Sequence, residues 1–232
     1  MYFDYQAELG PSKMPDDHRS YNPDAQPSGP AWLRRIIGEE YFREVVGVDL
    51  SGLAISQVDF EQLTKLPAIN DLNLNKTTIL LTGPVVERRI NDDDARIIGS
   101  LKKLRVLSLH EANIDAAGVA RLVPLKHLFW LNLSDSAIDD SAMREISKMS
   151  NLYILILSGT HITDAGLKQL SGLTNLTEWL SLANTSISDA GLEHLKPLIN
   201  LKNIILQDTQ VTPEGVRGLQ KSLPKAGISL RQ

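Results

Sequence analysis

Five histidines, His18, His110, His127, His161 and His194, and the acidic run Asn91-Asp92-Asp93-Asp94 are the residues of this chain best equipped for proton transfer or metal binding. Histidine titrates near neutral pH and ligates transition metals, and clustered carboxylates suit hard cations. Neither group has the spacing that its chemistry needs. The acidic run lacks the alternating ligands, the Gly and the distal Glu of a calcium loop. Carboxylates at a helix start are explained by the positive end of the helix dipole. His110 follows an apolar segment, His127 precedes one, and His161 and His194 fall at unrelated places, so a surface location is expected for all of them. No G-x-S-x-G, phosphate-binding loop or H-E-x-x-H occurs. The absence of cysteine removes disulfides, thiolate metal sites and cysteine nucleophiles. The expectation is a non-enzymatic protein with no cofactor and no metal.

What remains is recognition through side-chain surfaces, and the elements that build those surfaces are set by a repeat. Leu104, Leu128, Leu152 and Leu176 open units 24 residues apart. The first three continue L-x-x-L-x-L-x-x-(T/S/A)-x-I, and the fourth does so around one extra residue near Trp179. Counted outward, the first apolar position falls at Val45, Ile69, Leu104, Leu128, Leu152, Leu176 and Leu201, with steps of 24, 35, 24, 24, 24 and 25. The 35-residue step contains an insertion of 11 residues at about positions 80–90, where Gly83-Pro84 reads as a turn in a hairpin or loop.

Each unit starts with a short alternating segment such as Arg105-Val106-Leu107-Ser108-Leu109, which predicts a strand with alternate side chains buried. A helical segment follows, as in Leu167, Leu170 and Leu173. Between the two stand Ser56, Asp115, Asp139, Thr163, Ser188 and Thr212, with Asn91 in the interrupted unit. All are N-cap types, able to accept from the orphan amides of a first helical turn. Pro213 fits the first helical position. Gly118, Gly166, Gly191 and Gly215 recur three residues after a cap, where a close approach of helix to sheet would account for them. The fold class expected is α/β, a right-handed solenoid with a parallel β-sheet on its concave face and short helices on its convex face.

The segment from Leu152 to Leu167, with Thr160 and then I-T-D-A-G-L, resembles the leucine-rich-repeat family, in a bacterial variety with Thr where Asn or Cys is usual. Thr77, Thr160, Thr185 and Thr209 carry that signature, and Ala112 and Ser136 depart from it mildly. The resemblance covers roughly residues 45–230 and implies an interaction scaffold with no catalytic residues.

Seven repeats are expected over 45–222, preceded by a flexible arm over 1–29 and a helical cap over 30–44, and followed by a closing strand within 223–232. The cap rests on the apolar stripe Trp32, Leu33, Ile36 and Ile37. The arm is rich in Pro, Asp and Ser but carries the aromatic cluster Tyr2, Phe3 and Tyr5. No apolar run approaches the roughly 20 residues of a membrane helix, and the first residues lack the features of a signal peptide. A soluble, cytoplasmic chain is expected. The resemblance adds a second context, the soluble part of a membrane-anchored bacterial protein. A net charge of −4 with scattered Lys and Arg argues against nucleic acid.

Within each strand the third and fifth positions face solvent on the concave side. Third positions read Gly47, Asp71, Val106, Trp130, Ile154, Glu178 and Asn203, and fifth positions Asp49, Asn73, Ser108, Asn132, Ile156, Ser181 and Ile205. Polar ends therefore flank an apolar middle of Val106, Trp130, Ile154 and Ile156, with Phe129 and Tyr153 beside it. Trp is a frequent anchor of binding hot spots, and an apolar patch of a few hundred Å² on a monomer commonly has a purpose. The patch fits a protein or peptide partner. It also fits a structural role in which a second copy, making a homo-oligomer, or the N-terminal arm covers the same row. A sugar could stack on Trp130, but too few amides and carboxylates surround it to argue for one.

Overall fold

A computed structural model describes residues 47–66, 68–80 and 87–230. The arm, the N-terminal cap, Val45 and the Gly83-Pro84 turn lie outside the described residues.

The strands are three residues long, each centred on one aliphatic residue of its unit. They are β1 (Gly47–Asp49), β3 (Asp71–Asn73), β6 (Val106–Ser108), β7 (Trp130–Asn132), β8 (Ile154–Ile156), β9 (Trp179–Ser181), β10 (Asn203–Ile205) and β11 (Gly227–Ser229). They form one eight-stranded sheet in that order, with neighbours parallel. A second, three-stranded sheet joins β2 (Ala54–Ser56), β4 (Thr78–Leu80) and β5 (Glu87–Arg89). There β4 is parallel to β2 and antiparallel to β5, so the longer second unit doubles back on itself.

Short helices alternate with the main strands: α1 (Gln57–Glu61), α2 (Asp92–Ile98), α3 (Ala116–Leu122), α4 (Asp140–Ile146), α5 (Asp164–Leu170), α6 (Asp189–Leu192) and α7 (Pro213–Ser222). Their cap residues, Ser56, Asn91, Asp115, Asp139, Thr163, Ser188 and Thr212, each accept a backbone amide of the first turn. Leucines and isoleucines from strands and helices fill one continuous core, with Leu107, Leu131, Leu155, Leu180 and Ile204 in line beneath the sheet and fully buried.

Three of the signature threonines have a local task, while Thr77 donates its hydroxyl to the Leu50 carbonyl of the preceding repeat at 2.8 Å. Thr160, Thr185 and Thr209 donate their hydroxyls to the carbonyls of Leu157, Leu182 and Leu206 at 2.6, 2.6 and 2.7 Å. Ser136 does the same to Leu133 at 2.5 Å. A carbonyl at a turn inside the coil is thereby satisfied without a larger Asn side chain.

Successive repeats are also clasped on the helix side. The first residue of one helix is an Asp whose carboxylate accepts from the cap residue of the next. Asp140 accepts the amide and hydroxyl of Thr163 at 2.8 and 2.6 Å. Asp164 accepts those of Ser188 at 2.8 and 2.5 Å, and Asp189 those of Thr212 at 2.8 and 2.7 Å. Asp92 accepts the amide of Asp115 at 3.1 Å. The recurring glycines answer to this clasp, and closeness of helix to sheet is not the reason for them. A Cβ at Gly118, Gly166, Gly191 or Gly215 would penetrate the carboxylate of Asp92, Asp140, Asp164 or Asp189 respectively.

Candidate binding face

The side chains on the face of the eight-stranded sheet are set by register. Val106 lies opposite Trp130, Trp130 opposite Ile154, and Ile154 opposite Trp179. With neighbouring strands about 4.8 Å apart, these four half-buried side chains form one apolar row across β6, β7, β8 and β9. The row ends in polar residues, with Asp71 opposite Val106 on one side and Asn203 on β10 on the other.

Trp179 is the member that the repeat count misses. Counting from Leu176 puts Glu178 in the row, but β9 begins one residue later. The amides of Glu178 and Trp179 both donate to the carbonyl of Tyr153, at 3.1 and 3.3 Å. Tyr153 and Ile154 donate in the same way to Phe129, at 2.8 and 3.0 Å. Glu178 therefore matches Tyr153, Trp179 matches Ile154, and the extra residue is absorbed before Glu178. The segment Trp179-Leu180-Ser181-Leu182, aligned on its two leucines with Ile154-Leu155-Ile156-Leu157, contains the signal that could have revealed this.

The other expected residues divide. Ile156 points to the open face between Asn132 and Ser181 but is only 8% exposed, so it presents little free surface. Phe129 and Tyr153 stand just before β7 and β8, at the entry edge of the sheet. Their rings meet edge to face, 6.3 Å between centroids at 70°. Tyr153 is 45% exposed, and the Arg105 guanidinium lies 5.3 Å from the Phe129 centroid. This edge borders an open cavity of about 420 Å³ whose lining includes Lys103, Arg105, Lys126 and His127 together with both aromatic rings.

At the opposite, exit edge the second positions of the turns adopt left-handed backbone at Lys76, Glu111, Asp135, Asn184 and Asp208. His110 sits here and is not a surface histidine, since its side chain is 13% exposed. Its Nδ1 lies 3.1 Å from Ser134 Oγ and 3.3 Å from Asp135, and its Nε2 lies 3.3 Å from Glu111. The Ser134 hydroxyl donates to Asn132 Oδ1 at 2.6 Å, so its proton is directed away from the imidazole. A nucleophile of the serine-hydrolase kind needs the reverse polarity. Lys76 at 3.1 Å and Arg89 at 2.5 Å pair with Glu111 and hold its carboxyl below the usual range, the Arg89 hydrogen bond being the larger cause.

The acidic run serves architecture residue by residue. Asp94 is fully buried, completes the capping box with Asn91 and pairs with Arg88 on β5. Asp92 forms the clasp described above, and Asp93 lies 3.3 Å from Arg121. Among the described residues no three His, Asp or Glu side chains gather as metal ligands, and no helix is long and apolar enough to cross a membrane. The remaining histidines stay apart, with His127 and His161 exposed and His194 half-buried; His18 lies outside the described residues.

Comparison with known proteins agrees with this geometry. Residues 148–171 match the family described as Leucine Rich repeat. No curated protein sequence matches the chain. Among solved structures, the fold is similar to internalin C2 of Listeria monocytogenes, with a TM-score of 0.61 at 22% identity over 83% of this chain and 75% of that one. It is also similar to an internalin, inlF, from the same organism, with a TM-score of 0.51 at 20% identity over 78% of this chain and 54% of that one. At such identities the likeness is one of fold, and it joins the match over residues 148–171 in a single conclusion: the chain folds as an α/β solenoid of the leucine-rich-repeat kind.

Proposed function

We propose that this protein is a non-enzymatic scaffold that binds a protein or peptide on the concave, open face of its sheet. The observation that supports this most is the contiguous row Val106, Trp130, Ile154 and Trp179, placed on four adjacent strands between polar ends. Every strand beneath the row is anchored by fully buried leucines, so the row is preorganised and its cost of ordering on binding is small. Phe129 and Tyr153 extend it at the entry edge, and Ile156 adds a small area on the same face between Asn132 and Ser181. The structural alternative is self-association through the same row.

Affinity capture from the native cell, with wild type beside a Trp130→Ala, Ile154→Asp double variant, tests the proposal. A partner retained by wild type alone, with the melting temperature of the variant close to wild type, supports it. Equal capture by both rules out the row. A mass that doubles with concentration in light scattering, and does so only for wild type, favours self-association instead.

A further inference from the structure

Immediately beside the apolar row the entry edge of the sheet is basic. Lys103, Arg105, Lys126 and His127 line one open cavity with Phe129 and Tyr153, and no acidic residue lines it. Lys103, Arg105 and Lys126 have no carboxylate partner among the described residues, whereas Lys202 pairs with Glu178 at 2.6 Å and Lys76 with Glu111 at 3.1 Å. Three unpaired cations close together repel one another, so an anionic group placed among them gains from each. The chain as a whole is acidic, with a net charge of −4, which makes this local reversal of sign a feature of the edge.

The cavity lies at the start of the strands that carry the row. Arg105 directly precedes Val106, Phe129 precedes Trp130 and Tyr153 precedes Ile154. A ligand seated on the row therefore has Arg105 one residue before Val106, with Lys103 and Lys126 further out along the same cavity. The Arg105 guanidinium is already oriented over the Phe129 ring, which leaves its edge open to a bidentate carboxylate. Asp71 and Asp49, on β3 and β1, stand at the end of the row next to Val106, outside the cavity lining.

We propose that the partner's binding segment is an acidic peptide. An aromatic or aliphatic residue anchors on Trp130, Ile154 and Trp179, and Asp or Glu residues a few positions away pair with Lys103, Arg105 and Lys126. This rests on the reading that the open face binds peptide, and adds the chemistry of what it accepts. Complementary charge of this kind sets register and partner choice more than bulk affinity.

The test is selection of phage-displayed random dodecapeptides on the full chain, on a Lys103→Glu, Lys126→Glu variant and on Trp130→Ala. Wild type is expected to enrich peptides with Asp or Glu next to an aromatic or aliphatic residue. The charge-reversed variant is expected to bind those peptides about tenfold more weakly, from exposed pairs lost and repulsions gained, and to select basic peptides in their place. Trp130→Ala is expected to lose both sets. Peptides that need Trp130 but show no acidic enrichment would overturn the inference while leaving the proposed function standing. Peptides indifferent to both variants, or none selected at all, would overturn both. Peptides appearing only after Tyr2, Phe3 and Tyr5 are changed to Ser would assign the face to the chain's own N-terminal segment, and would also overturn the inference.

Discussion

Ala142 occupies the third position after the cap of α4, where neighbouring helices have Gly, and Ala116 occupies the first position of α3, where neighbouring helices have Asp. The two exceptions belong to one inter-repeat junction. Without a carboxylate from the preceding helix there is room for a Cβ, and the Gly is no longer required. The D-A-G signature of the repeat therefore joins an Asp of one unit to a Gly of the next.

Asp189 and Gly215 offer the cleanest measurement of that coupling, since the three atoms nearest to a Cβ at Gly215 belong to Asp189. Gly215→Ala should destabilise by about 1–2 kcal/mol, the overpacking term outweighing the gain in helix propensity. Asp189→Ala should cost about 1–2 kcal/mol through its two bonds to Thr212. Together they should be less harmful than their sum by roughly 1 kcal/mol in urea unfolding. Strict additivity would refute the clasp as the reason for the glycine.

Asp71 makes a prediction about pH. Burial, and secondarily the nearby Asp49, raise its pKa above the ordinary value of 3.8. The folded state thus binds the proton more tightly than the unfolded state, and stability falls as pH rises through the raised pKa. The penalty is complete above the raised pKa and vanishes below 3.8. Asp71→Asn should raise the urea midpoint at neutral pH, and the advantage should disappear on acidification. An advantage that persists unchanged below that range would contradict the sign argued here.

Glu111 has the opposite sign. Its pKa is lowered by the Arg89 hydrogen bond first, and also by Lys76. Its contribution is present above the unfolded value of 4.5 and is lost as pH falls through the lower, folded pKa. Glu111→Gln should flatten the acid limb of the stability curve and leave the shape above that range unchanged. An acid limb of undiminished slope would show that the Glu111 pairing contributes nothing.

The pairing of Arg88 with the buried Asp94 ties the β4–β5 excursion to α2, and Arg88 also donates to Gln57 Oε1 at 2.9 Å. Asp94→Ala leaves a partly buried cation and an open cap, and should cost about 2–4 kcal/mol. Changing Arg88 to Met in the same chain should recover part of the loss. A loss below about 1 kcal/mol in the single variant would place this pair with ordinary surface ion pairs.

The register of leucines and the seven caps can be read from the sequence because both are local: an alternating triplet and a polar residue before a helix. The site was legible in part for the same reason. Val106, Trp130 and Ile154 follow from counting along regular units. Trp179 does not, because counting from Leu176 puts the extra residue after Glu178, whereas the chain absorbs it between Leu176 and Glu178 and so shifts Trp179 into the row. The basic edge, the His110 network and the Asp–Gly clasp join residues about one repeat apart, and no propensity or local pattern reports such contacts. Arg88 and Asp94 are close in sequence, but the burial that gives their pairing its weight comes from the surrounding fold.

Calorimetric titration of the captured partner, or of the tightest selected peptide, into wild type and Trp130→Ala tests the central claim most directly. A loss of at least 2 kcal/mol, about thirtyfold in Kd, is the hot-spot result expected, with melting temperatures agreeing within a few degrees because Trp130 is only half-buried. An unchanged Kd would contradict recognition by the apolar row.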